Sequence, residues 1–344
     1  MKAAIIGTTG YGGIELLRIL HTHPEIQIQS IHSTTKETAI WEEYPHLYSV
    51  MDKKLELIDP EKIADSADIL FFATPSGVST KLMAGFQDAP LKIVDLSGDM
   101  RLQDSKAYEK WYKKQPAPPQ VIQQFVYGLT EWNKAAIASA KWIANPGCYP
   151  TAALLGLAPL ATCELLEPAS IIIDAKSGVS GAGRTPARAT MHSELTENFT
   201  IYKVNKHQHT PEIEQQLLIW NKAVKPITFS TQLIPIARGI MATIYVQLSK
   251  EISTSEVVQL YKEAYKEKPF VRIRPEGHFP SVKEVTGSNY CDIGIDVDER
   301  TGRATIVSVI DNLMKGAAGQ AVQNANLMFG LEEDCGLRYI PLYP

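Results

Sequence analysis

Lys2-Ala3-Ala4-Ile5-Ile6-Gly7-Thr8-Thr9-Gly10-Tyr11-Gly12-Gly13 opens the chain, and its reading decides the fold. The first five residues are a short apolar run of buried-strand type. Glycines follow, and then Ile14-Glu15-Leu16-Leu17-Arg18-Ile19-Leu20 with helical spacing. Strand, glycine turn and helix form the setting of a dinucleotide-binding βαβ unit, in which glycine lets the backbone approach a pyrophosphate and the helix N-terminus supplies N–H donors. Gly7, Thr9, Gly10, Tyr11, Gly12 and Gly13 are therefore candidate cofactor contacts. The spacing is GxxGxxG rather than GxGxxG, so a purely structural turn stays open as the alternative.

Working outward, the same texture repeats. Residues 26–31 form a second strand that runs into His32-Ser33-Thr34-Thr35-Lys36. An NAD site usually carries an acid at this point for the ribose 2′-hydroxyl. Hydroxyls and a lysine suit a 2′-phosphate instead, so Ser33 and Lys36 point to NADP, with a solvated loop as the competing view. Residues 67–73 are a buried strand ending in Thr74-Pro75-Ser76-Gly77, and open α/β sheets bind ligands at such carboxyl ends. Residues 91–96 repeat the pattern and lead to Ser97-Gly98-Asp99-Met100-Arg101, where Arg101 could grip a phosphate or carboxylate. Residues 104–120 read as a polar surface excursion, and 141–144 as a last strand.

Next comes Asn145-Pro146-Gly147-Cys148-Tyr149-Pro150-Thr151. A Pro-Gly turn precedes the cysteine, Pro150 suits the first helical position, and the following residues are a buried helix. Cys148 then lies at a helix N-terminus, where a thiol pKa falls below its free value; a small buried hydrophobe is the ordinary alternative. Beyond it, residues 170–175, 228–236, 240–248, 290–297 and 304–310 read as strands and 211–224 and 253–266 as helices, giving an α+β domain on a largely antiparallel sheet. The Gly/Ser loop from Ser177-Gly178 to Arg184 could bind an anion through backbone amides. In Lys206-His207-Gln208-His209-Thr210-Pro211-Glu212, Thr210 suits an N-cap and Pro211 the first helical residue. His209 near a helix N-terminus tends to stay neutral and able to take a proton, Glu212 could orient it, and His207 is the fallback. The His-x-His pair lacks the further ligands of a metal site, so no metal is expected.

The chain is long enough, at 344 residues, for two domains: 1–147 with 317–344, and 148–316. A net charge of −4 argues against nucleic acid or an anionic membrane as partner, and four dispersed cysteines suit a reducing cytoplasm. A cysteine and a histidine beside a hydride-carrier fold point to acyl-thioester reduction; a protease or amidase leaves residues 1–147 without a purpose.

Taken in order, Gly7–Gly13, Asp95–Leu102, Tyr127–Glu131, Asn145–Thr151, Ser177–Arg184, His207–Glu212, Pro235–Gly239 and Asp311–Ala317 make the chain resemble the N-acetyl-γ-glutamyl-phosphate reductase family of arginine biosynthesis, within the wider semialdehyde dehydrogenase group. That resemblance covers essentially the whole length. It implies a Cys148 thioester formed from the acyl phosphate with loss of phosphate, reduction by NADPH to the semialdehyde, contact of Asn312 with the nicotinamide amide, and a homodimer or homotetramer. His209 then serves as acid/base, and Arg101, Arg184 and Arg238 neutralise phosphate and carboxylate. Reductases of aspartyl phosphate or of a carrier-linked aminoadipate phosphate are the near alternatives, and a non-catalytic NADP sensor is the distant one.

Overall fold

The computed structural model describes residues 1–343 except Thr35 and Lys36. The chain divides into two compact units, Met1–Pro146 with Ala317–Leu337, and Gly147–Gly316 with the residues from Arg338 on. The last segment was expected in the first unit. It groups with the second because Leu342 donates its N–H to Thr286 O and its side chain packs where Gly287 leaves room.

In the first unit, β1 (Lys2–Ile6), β2 (Gln27–Ser33), β3 (Leu55–Leu57), β4 (Ile69–Phe72), β5 (Lys92–Asp95), β6 (Phe125–Tyr127) and β7 (Trp142–Ala144) form one sheet in the order β3-β2-β1-β4-β5-β7-β6. Every pairing is parallel. Parallel strands buried on both faces need continuous apolar runs, and Ala3–Ile6 and Ile69–Phe72 are such runs, each at most 1% exposed. The strand order reverses direction between β1 and β4, so the carboxyl ends of these two strands bound the crevice where doubly wound sheets take their ligand. The short strands β3 and β6 had no separate sequence signature. The stretch 104–120 is more than a surface excursion: helix Ser105–Tyr112 starts on an Asp104 N-cap and buries Tyr108 completely.

Helix Gly319–Met328 closes this unit with an amide-rich buried face. Gln320 Nε2 donates to Gly128 O and Thr130 Oγ1, and Asn324 Nδ2 donates to Gly128 O and Asn145 Oδ1. Polar side chains this deep are tolerated because they satisfy backbone groups of the loops at 128 and 145.

In the second unit, β8 (Ile172–Gly178), β9 (Thr200–Tyr202), β10 (Thr228–Ile234), β11 (Ile240–Gln247), β12 (Val271–Ile273), β13 (Cys291–Asp298) and β14 (Arg303–Ile310) make a mixed, mostly antiparallel sheet ordered β12-β13-β14-β11-β8-β10-β9. Along β11, Ile240, Ala242, Ile244 and Val246 are buried in strict alternation. Helix Cys148–Thr162 is apolar all round and lies against β11 and β14, where Gly156 faces Ile244 and Ser308. Its internal Pro159 cannot donate to the carbonyl of Leu155. Tyr265 supplies that missing donor, O–H to Leu155 O at 2.5 Å, and Tyr261 donates to Gly156 O at 2.6 Å. Helix Thr210–Trp220 packs beside it. Among the described residues, no helix is long and apolar enough to cross a membrane.

Candidate active site

The helix that carries the cysteine starts two residues earlier than Pro150 suggested. Gly147 is the N-cap and Cys148 the first helical residue, so Pro150 is the third, where its missing N–H is still not needed. Thr151 ties the turn by donating N–H and Oγ1–H to Gly147 O, each at 2.9 Å. Cys148 is partly exposed and reduced. It is placed from behind by the π-helical turn Met314–Ala318: a Cβ on Gly316 would stand 2.9 Å from the cysteine Cβ. Such turns are frequent at functional sites.

His209 meets the same turn. A Cβ on Gly147 would lie 2.5 Å from His209 Nε2, so the imidazole is packed directly against the residue preceding Cys148. His209, not Thr210, is the N-cap of the Thr210–Trp220 helix, a shift of one residue that leaves Pro211 as the second helical residue. His209 is 8% exposed, and its backbone N–H donates to His207 Nδ1 at 3.2 Å. That bond makes Nδ1 of His207 an acceptor. Burial, with Lys203 nearby, pushes the His207 pKa down to about 3, so its ring is neutral with the proton on Nε2. The ring sits edge-on to Tyr149, Tyr202 and Phe229 at 5.3–5.8 Å between centroids. Glu212, fully buried, accepts the Gly147 N–H at 2.8 Å. It was expected to orient His209; fixing the cysteine's own turn is a role the sequence did not suggest.

A second group converges at the ends of β8, β11 and β14. Gly178 N–H donates to Gly239 O at 2.8 Å, Ser177 is 2% exposed, and a Cβ on Gly178 would touch the backbone of Ala237 and Arg238 at 2.9 Å. Asn312 accepts from Gly239 N–H at 2.7 Å and donates to Ser180 Oγ at 2.9 Å. Arg238 pairs with the fully buried Asp311 at 3.5 Å. Arg184 is exposed, on the segment after the 3-10 turn Val179–Ala182.

In the first unit the glycine turn is built for close approach. Gly7 has φ +98°, and a Cβ there would strike Ala73 O at 2.6 Å; one on Gly13 would meet Gly7 O at 2.3 Å. Gly10 caps helix Tyr11–His21, Gly12 has nothing within 4 Å of its Cβ position, and Thr9 O accepts from Tyr44 O–H. The turn therefore abuts the end of β4, where Thr74, Pro75 and Ser76 follow. Two hydroxyl oxygens here, Thr8 Oγ1 and Thr74 Oγ1, are buried without a hydrogen-bond partner among the described residues. Buried orphans beside a glycine cradle fit a phosphate-bearing dinucleotide that would satisfy them. Ser33 ends β2 and is 8% exposed; Lys36 lies outside the described residues. Sequence reasoning missed Lys114, which donates to Ser76 O and Ser76 Oγ. Arg101, expected as an anion ligand, is 6% exposed and donates Nε–H to Asn145 O at 2.7 Å and an Nη2 hydrogen to Leu96 O at 2.9 Å. It clamps the carboxyl ends of neighbouring strands β5 and β7.

Doubly wound nucleotide fold, antiparallel second unit and cysteine–histidine pair together define a class, and comparison with known proteins gives it a family. Residues 2–140 match the model for a semialdehyde dehydrogenase NAD binding domain, and 148–312 that for a semialdehyde dehydrogenase dimerisation domain; the chain belongs to the semialdehyde dehydrogenase family. Within it, the chain is 56% identical to the N-acetyl-gamma-glutamyl-phosphate reductase of Geobacillus sp. (strain WCH70) and 57% identical to that of Bacillus mycoides (strain KBAB4), with 100% of both chains covered in each case. Solved structures share the fold. Aspartate semialdehyde dehydrogenase II from Vibrio cholerae superposes with a TM-score of 0.72 at 18% identity, covering 95% of this chain and 98% of that one. The Candida albicans aspartate semialdehyde dehydrogenase, solved with NADP, gives 0.69 at 15%, covering 95% and 98%.

Proposed function

We propose that this chain catalyses the NADPH-dependent reduction of N-acetyl-γ-glutamyl phosphate to N-acetylglutamate semialdehyde, with release of phosphate, in the cytoplasm and as a homodimer or homotetramer. The observation that carries the chemistry is the cysteine at a helix N-terminus with a histidine packed on the preceding residue. The full-length relatives carry the choice of substrate.

Cys148, as thiolate favoured by the helix N-terminus, attacks the acyl carbon; the C–O bond to phosphate breaks, phosphate leaves, and a thioester remains on Sγ. The glycine turn, Thr8 and Thr74 would hold NADPH, which when bound would supply a hydride to this carbonyl. His209 takes the thiol proton and returns a proton to the thiohemiacetal oxygen. Collapse of the thiohemiacetal gives the hydroxyl proton back to His209, expels the thiolate and frees the aldehyde. His207 is neutral and holds the His209 backbone, so it is a positioning residue. Glu212 holds Gly147 in the same way. Arg184, on an exposed segment, is the arginine best placed to take a substrate anion; Arg238 shares its charge with Asp311, and Arg101 acts on the turns. Ser177 and Gly178 shape the substrate side, Asn312 meets the nicotinamide amide, and Ser33 with Lys36 favours NADP over NAD.

The test is phosphate-dependent NADP reduction with N-acetylglutamate semialdehyde and aspartate semialdehyde offered separately. Turnover with the acetylated compound alone, abolished without phosphate, is expected. Preference for aspartate semialdehyde would overturn the substrate assignment.

A further inference from the structure

Asp95 and Asp99 are both completely buried, and the mechanism uses neither. Two serines join them. Asp95 Oδ2 lies 2.9 Å from Ser97 Oγ, Ser97 Oγ lies 2.8 Å from Ser79 Oγ, and Ser79 Oγ lies 3.0 Å from Asp99 Oδ2. Three hydrogen bonds need three protons, and two serine hydroxyls supply only two. One carboxyl must carry the third. Asp99 is surrounded by donors: Gly77 N–H at 2.7 Å, Thr80 N–H at 3.1 Å, Thr80 Oγ1–H at 3.0 Å and Tyr108 O–H at 2.7 Å, besides Ser79. Its oxygens receive two backbone N–H groups, which can only donate, besides three hydroxyls, whereas Asp95 receives a single backbone N–H, from Ser97, so Asp99 is the anion. The proton therefore sits on Asp95, which donates to Ser97 Oγ and accepts from Ser97 N–H at 3.1 Å. Ser97 then receives from Asp95 and from Asp99 N–H, 3.1 Å away, and gives its own proton to Ser79, which fills its valences.

The donors gathered by Asp99 come chiefly from one stretch, Gly77 to Thr80, and Gly77 is held at φ +85°. That stretch directly follows Thr74-Pro75-Ser76, the turn the glycine loop abuts through Ala73. We infer that Asp99, as a buried carboxylate, is a positioning residue for the nucleotide-binding turn at the end of β4, and that Asp95 is its neutral partner through the Ser97–Ser79 hydroxyl relay. This rests on the reading that the turn binds NADPH.

The relay makes two isosteric changes unequal. Asp95→Asn keeps a donor toward Ser97 Oγ and an acceptor for Ser97 N–H, so it mimics the neutral acid. Asp99→Asn turns an N–H toward the N–H groups of Gly77 and Thr80. In the full-length enzyme, NADPH affinity by fluorescence titration should stay within about threefold for Asp95→Asn and weaken about tenfold or more for Asp99→Asn. The KM for NADPH should rise while kcat and the KM for the acyl phosphate hold, a split that general damage would not give. Ser79→Ala removes one donor only, and serves if Asp99→Asn does not fold; it should weaken NADPH in the same selective way. Unchanged NADPH binding in Asp99→Asn or Ser79→Ala, or equal loss in Asp95→Asn and Asp99→Asn, would overturn the inference. An infrared band of a protonated buried carboxyl, present in the wild type and missing in Asp95→Asn, reads the proton without nucleotide. If the band is found but the wild type does not bind NADPH, the functional reading has failed and the proton assignment stands.

Discussion

Gly147 separates the proposed nucleophile from its proposed base by a single backbone unit. Its φ of −68° suits any residue, so the need for glycine is one of space, with His209 Nε2 2.5 Å from where a Cβ would go. Gly147→Ala should therefore fold, retain NADPH binding and lose about 10²-fold in kcat through displacement of the imidazole; stopped-flow turnover beside a circular dichroism spectrum checks it. Asp95 carries a second prediction at this scale. Burial first, and then Asp99, pushes its pKa up to about 7, with Arg101 working the other way. An unfolded aspartate titrates near ~3.9. The folded state thus binds the proton more tightly, so this contribution to stability is complete below about pH 4 and is lost as pH rises toward 7. Thermal melts from pH 4 to 7 should show the wild type losing stability relative to Asp95→Asn; a constant difference across that range would contradict it. These pairings were invisible in the sequence because each joins residues from separate turns. The placement of Cys148 and His209 at helix starts was legible because Gly or Pro lies beside each.

Among the elements, the parallel sheet was the most readable, since strands such as 3–6 and 69–72 are short apolar runs bounded by turn residues. The strands β3 and β6, three residues each, are too short to show a period. Helix Ser105–Tyr112 was missed for a different reason: its apolar and aromatic residues are interspersed with Lys106, Glu109 and Lys110, and buried Tyr108 is held by a hydrogen bond to Asp99. Helix starts were misplaced by one or two residues at Cys148 and Thr210, because proline is accommodated anywhere in the first turn. The helix Cys148–Thr162 supports a prediction about its proline. Tyr265 O–H replaces the donor that Pro159 lacks, so Tyr265→Phe should cost about 1–3 kcal/mol by leaving a buried carbonyl unsatisfied. In a Pro159→Ala background the backbone can supply that donor, and the same change should cost less. Equal costs in both backgrounds, measured by denaturant unfolding, would refute the replacement.

At the scale of the whole molecule, a nucleotide-binding unit and an antiparallel unit were both foreseeable from the change of texture after Cys148. The assignment of the last residues was not, since it turns on the contact of Leu342 with the Thr286–Gly287 turn. A ligand that binds only the folded chain stabilises it by mass action, by about 2.7 kcal/mol at a hundred times its Kd. NADPH should accordingly raise the melting temperature more than NADH at equal concentration, and equal shifts would contradict the role given to Ser33 and Lys36. The central claim is that Cys148 carries the acyl group. It is tested most directly by mixing enzyme with N-acetylglutamate semialdehyde and NADP in the absence of phosphate, then quenching for peptide mass spectrometry. The account predicts a burst of NADPH stoichiometric with enzyme, and an N-acetylglutamyl thioester on the peptide containing Cys148, absent from Cys148→Ala. A burst without that adduct, or an adduct on another residue, would contradict it.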